Sequence, residues 1–92
     1  MKTVWKFPIQ VEDTFDMHMP RGAQVLSVQV QAGSPVMWAL VDPDAKVEER
    51  WFRVAGTGHA VDDEKFPVFI GTFQLEAFGL VFHVFAQKNY GP

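Results

Sequence analysis

The sequence predicts an all-β chain: an antiparallel β-sandwich or small β-barrel of six to seven strands, with at most one short helical turn. Three observations predict it. Thirteen Val and nine Phe stand against four Leu, and β-branched and aromatic side chains fit a pleated surface better than a helical one. Apolar residues recur at every second position in several short runs, the period of a strand with one buried face. Turn-forming clusters divide these runs at spacings of roughly 8–14 residues, the rhythm of sandwiches and barrels.

The first strand places Trp5, Phe7, Ile9 and Val11 on one side and Lys6 and Gln10 on the other. Pro8, which lacks a ladder donor, marks it as an edge strand. Residues 15–19 form a short second strand, ended by the turn signal Pro20-Arg21-Gly22. Gln24–Gln31 alternates Leu26, Val28 and Val30 with Ser27, Gln29 and Gln31, leaving one wet face. Ala32-Gly33-Ser34-Pro35 turns the chain into residues 36–41, apolar throughout, so the pair reads as a hairpin whose second arm is covered on both faces. Asp42-Pro43-Asp44-Ala45 stops it. Residues 46–50 have room for one helical turn, and residues 50–55 are strand again, with Phe52 and Val54 inside and Trp51 and Arg53 outside. Residues 56–67 form the longest irregular stretch, and long loops in compact domains often carry function. Residues 69–75 and 80–86 close a second hairpin around Glu76-Ala77-Phe78-Gly79, and residues 86–92 form a polar tail.

One domain spanning residues 1–92 accommodates all of this, with no repeat or linker. Eight basic against eleven acidic residues give a net charge of −3, the wrong sign for a protein that neutralises duplex DNA. The absence of cysteine excludes a disulfide framework, thiolate metal sites and a nucleophilic thiol. The N-terminal stretch lacks the apolar core of a secretory signal, so export by that route is not expected. The run 22–41 carries no charge, yet its Gln, Ser, Gly and Pro residues disqualify it as a membrane span.

Five blocks carry a family resemblance: Gly22-Ala23-Gln24-Val25-Leu26-Ser27-Val28-Gln29, Trp38-Ala39-Leu40-Val41-Asp42-Pro43, Gly56-Thr57-Gly58-His59, Ile70-Gly71-Thr72-Phe73-Gln74 and Leu80-Val81-Phe82-His83-Val84-Phe85. Together they resemble a family of small phage and prophage proteins of unknown function. The resemblance implies a bacteriophage or prophage source and action in the host bacterial cytoplasm. It transfers no activity to any residue.

Candidate binding residues are Trp51, Arg53, His59, Asp62 and Asp63. Trp51 and Arg53, two apart on a strand, project to one side, where indole and guanidinium suit stacking on bases or anchoring a protein contact. A cross-strand pair that only stabilises the sheet explains the same residues. His59 with Asp62 or Asp63 on the 56–67 loop offers nitrogen and oxygen donors for a metal-dependent enzyme, but the sequence contains no His-x-His or His-Glu-x-x-His pair. Gly56-x-Gly58 suits an anion-binding turn or, more simply, a tight turn at a strand end. His83, between Val81 and Phe85 on one strand face, reads as a packed or hydrogen-bonded histidine. Ser27 and Ser34 are the only serines, and neither sits in a Gly-x-Ser-x-Gly elbow. No catalytic residue, metal site or cofactor is assigned.

Residues 36–41 and 80–85 are apolar on both sides, whereas a strand in a lone sandwich needs one apolar side. A second subunit in a two-fold homodimer is one cover; the alternatives are loops 12–23 and 56–67 folding over the sheets, or a closed barrel. The functional expectation is a non-enzymatic protein-binding module acting on a phage or host protein, with no duplex DNA and no membrane. A small metal-dependent enzyme and a single-stranded nucleic-acid binder are the alternatives.

Overall fold

The computed structural model describes residues 1–88; residues 89–92 of the expected tail lie outside the described residues. Seven strands form: β1 (Thr3–Pro8), β2 (Thr14–Pro20), β3 (Gln24–Gln31), β4 (Ser34–Val41), β5 (Val47–Gly56), β6 (Val68–Leu75) and β7 (Leu80–Ala86). They build a three-stranded sheet ordered β1-β4-β3 and a four-stranded sheet ordered β2-β5-β7-β6, every pairing antiparallel. The two sheets stack as a sandwich, and among the described residues no barrel closes. Both expected hairpins, β3–β4 and β6–β7, are present.

The core lies between the sheets. Met37, Ala39 and Val41 of β4 point inward, fully buried, against Phe15 and Met19 of β2, Phe52 and Val54 of β5, Phe73 of β6 and Val84 of β7. Phe15 and Phe52, directly opposite each other in the β2–β5 ladder, stack at 5.0 Å with 15° between ring planes. The sheets come closest where β3 passes β6. A side chain grown from Gly71 would meet the Val28 Cβ at 3.3 Å, so glycine permits this approach.

Four details depart from the sequence-based expectation. The segment 46–50 forms no helical turn: β5 begins at Val47, because residues 47–50 pair with residues 17–20 of β2. Among the described residues the one helical turn is a 3-10 turn at Glu76–Phe78, inside the second hairpin. In β3 the ladder skips a residue between Val25 and Ser27. That bulge turns Val25 toward the core and leaves Leu26 49% exposed, so the expected Leu26/Val28/Val30 face is broken at its first member. Finally, β1 ends at Pro8, not at Val11. Ile9 still donates its N–H to the Pro35 carbonyl (3.1 Å) and enters the core, but a turn closed by Glu12 N–H to the Gln10 carbonyl then carries the chain to the other sheet and leaves Val11 exposed.

Candidate functional site

With the inner faces packed on each other, the outer faces and the 57–67 loop remain for function. On the four-stranded sheet that loop acts as a cover. Phe66 and Ala55 are buried, at 4% and 2% exposure, yet belong to no part of the central core. Phe66 shares a shallow hollow with Thr14 and Trp51, whose register sets them on the outer face. The loop therefore folds over one end of that face, one of the covers expected from the sequence.

Arg53 ties this arrangement together. Its Nη1 donates to the carbonyls of Asp13 (3.0 Å) and Val54 (2.8 Å), and its Nη2 donates to the Ala60 carbonyl (2.9 Å). The guanidinium thus links β5 to the β1–β2 connection and to the loop. Trp51, on the same face and 37% exposed, donates its indole N–H to Glu49 Oε1 at 2.9 Å. Asp62 Oδ1 accepts the backbone N–H groups of Glu64 (3.1 Å) and Lys65 (3.2 Å), while Phe66 N–H returns to the Asp62 carbonyl (2.8 Å). That is local turn capping. His59 N–H closes a turn on the Gly56 carbonyl at 3.0 Å, and Gly58 supplies its φ of +90°. The glycine pair therefore serves a tight turn. His59, Asp62 and Asp63 do not converge: among the described residues the group of three that brings its donor atoms within 4.8 Å of one another is Asp16, His18 and Glu49.

His83, on the outer face of β7, is held at both ring nitrogens. The Thr57 hydroxyl lies 2.8 Å from Nε2 and the Thr72 hydroxyl 2.9 Å from Nδ1. It is the hydrogen-bonded histidine expected from its place between Val81 and Phe85. Thr72→Val keeps the shape and the strand propensity but removes one of these bonds, and is expected to cost about 1 kcal/mol. A lower urea midpoint at unchanged slope is the readout; an unchanged midpoint would show that the bond contributes nothing.

The outer face of the three-stranded sheet is different. Val36, Trp38 and Leu40 run along its centre on β4, flanked across the ladders by Pro8, Lys6 and Val4 of β1 and by Gln29, Ser27 and Gln24 of β3. Val36 is buried by these neighbours, where Lys6 Nζ donates to Gln31 Oε1 at 3.0 Å. Toward the other end Trp38 and Leu40 are half-buried, and Val4 and Leu26 stand 50% and 49% exposed. Among the described residues no loop comparable to 57–67 belongs to this sheet, and Lys6 is the one charged side chain on its strands.

Two of these features escaped sequence reasoning. Asp16 and His18 lie on the segment read as a short second strand, and only pairing with the unrecognised start of β5 sets Glu49 opposite His18. Arg50 is 5% exposed and donates from Nη1 to the Ala23 carbonyl at 2.9 Å. Here a signal existed, since the alternation that places Phe52 and Val54 inside places Arg50 inside as well. Among the described residues no helix is long and apolar enough to cross a membrane. Compared with known families, residues 1–92 match a domain of unknown function, DUF7352. No curated protein and no solved structure matches the chain.

Proposed function

We infer that this chain, which belongs to the DUF7352 family, is a non-enzymatic protein-binding module whose first partner is a second copy of itself. The observation that carries this reading is the outer face of β1-β4-β3, where Trp38, Leu40, Val4 and Leu26 form an apolar patch. The protein carries a net charge of −3, so two copies meet with like net charge. On this sheet the strands carry no acidic residue. A two-fold contact here joins like face to like face without opposing carboxylates, and covers the outer side of β4. The resemblance of five sequence blocks to phage and prophage proteins supports a role as a phage accessory protein in the host cytoplasm, where a phage or host protein is the further partner.

Size-exclusion chromatography with light scattering tests the self-association. The expected particle has twice the 10.4 kDa chain mass, and the double substitution Val4→Glu with Leu26→Glu is expected to return it to a monomer with an unchanged circular dichroism spectrum. Both side chains are about half exposed, so the fold tolerates the change. A wild-type particle of 10.4 kDa at high concentration overturns the dimer. For the phage assignment, induction of the encoding bacterium's prophage should raise the protein's level, and an unchanged level removes that assignment.

A further inference from the structure

We propose that Asp16, His18 and Glu49 form a binding site for one divalent transition-metal ion of the zinc type, on the outer face of the four-stranded sheet. The site lies on the other sheet from the self-association patch and does not depend on it. Its three residues sit on one rung-and-diagonal of the β2–β5 ladder: His18 pairs directly with Glu49, and Asp16, two residues before His18, pairs with Trp51. Their outward positions on two hydrogen-bonded strands hold the three side chains on one patch without any loop. One donor atom from each already lies within 4.8 Å of the others, and His18 Nε2 is 3.8 Å from Glu49 Oε2.

The hydrogen bonding around Glu49 favours this use. Trp51, outside the trio, holds Oε1 through its indole N–H at 2.9 Å, so the carboxylate presents Oε2 toward the histidine. An outer partner of this kind commonly orients a metal ligand and lowers its freedom before binding. Two carboxylates share the patch, and among the described residues Asp16 forms no ion pair while Glu49 pairs only with His18. A dication between them relieves their mutual repulsion. All three ligands are exposed, so small rotamer changes suffice to draw the donors from their present separations to metal bonds of about 2.0–2.2 Å. One imidazole and two carboxylates suit zinc and its neighbours, whereas magnesium and calcium prefer all-oxygen sets. Three protein ligands leave at least one position for water or an exchangeable ligand.

Isothermal titration of the full chain with Zn2+ in a non-chelating buffer is expected to show one site per chain, with Mg2+ and Ca2+ at least tenfold weaker. His18→Ala, Asp16→Asn and Glu49→Gln should each weaken Zn2+ at least tenfold, and Asp62→Asn should leave it unchanged. Nuclear magnetic resonance should show the His18 ring signals, not those of His83, shifting on zinc addition. Circular dichroism of the variants serves as the folding control. Binding that His18→Ala and Glu49→Gln leave intact, or weak binding of several ions per chain, identifies an adventitious ion only and overturns the site.

Discussion

Phe52→Ala is expected to be the most damaging single substitution in the core. Phe52 is fully buried at the centre of β5, stacked on Phe15 at 5.0 Å, and its inward neighbour Val54 is buried with it. Truncation removes the ring's transfer energy, its stacking partner and the filling of a space that two sheets cannot collapse into together. Losses of about 3–5 kcal/mol accompany such changes, against a total stability of about 5–15 kcal/mol for a domain. The cysteine-free chain has no disulfide to limit the damage. Urea denaturation followed by circular dichroism should show the midpoint falling by a large fraction of its wild-type value, or an unfolded baseline at zero denaturant. A loss below about 1 kcal/mol would mean that the core repacks around the gap instead of keeping the close packing usual in protein interiors.

Gly71→Val is expected to have the second-largest effect, by the opposite route. A Cβ at residue 71 would lie 3.3 Å from the Val28 Cβ and 3.4 Å from its Cγ2. The valine's branches must then press into β3 or push the two sheets apart where they come closest. Overpacking of this kind costs about 1–3 kcal/mol. Because the strain is specific to one neighbour, the double variant Gly71→Val with Val28→Ala should be more stable than the sum of the two single effects predicts. Denaturation midpoints of the four proteins form a double-mutant cycle. An additive cycle, or a neutral Gly71→Val, would show that β3 and β6 do not approach closely at this point.

These two positions differ in how visible they are beforehand. Phe52 is legible in a period-2 pattern, since Phe52 and Val54 alternate with Trp51 and Arg53, and burial follows from which set is apolar. Gly71 is not, because its significance comes from a neighbour 43 positions earlier in the chain on another sheet. The same division runs through the outer faces. The charge-free run 22–41 could be read directly, and it became the uncharged β3 and β4 of one sheet. Which of the two doubly apolar strands lacks a loop cover could not be read. The answer depends on where Phe66 lands and on Arg53 reaching the Ala60 carbonyl, contacts made across the fold.

The candidate binding residues follow the same logic. Trp51 and Arg53 do share a face, as two residues apart on a strand must, but their hydrogen bonds go to Glu49, Asp13, Val54 and Ala60. The Asp16–His18–Glu49 group depends on one boundary that the local pattern leaves open. As a helical turn, residues 46–50 give Glu49 no defined neighbour on β2; as strand, Glu49 faces His18.

By itself the sequence determined the fold class, both hairpins, the edge position of β1 and the inward set of β5, because alternation of apolar side chains and the turn chemistry of Gly, Pro and Asp are local properties that no distant contact has to supply. Tertiary structure alone decided the strand order, the bulge that exposes Leu26, the loop that covers one sheet and not the other, and the meeting of Asp16, His18 and Glu49. Each of these depends on which strands pair and in what register, and a shift of one residue in that register would turn every side chain to the opposite face.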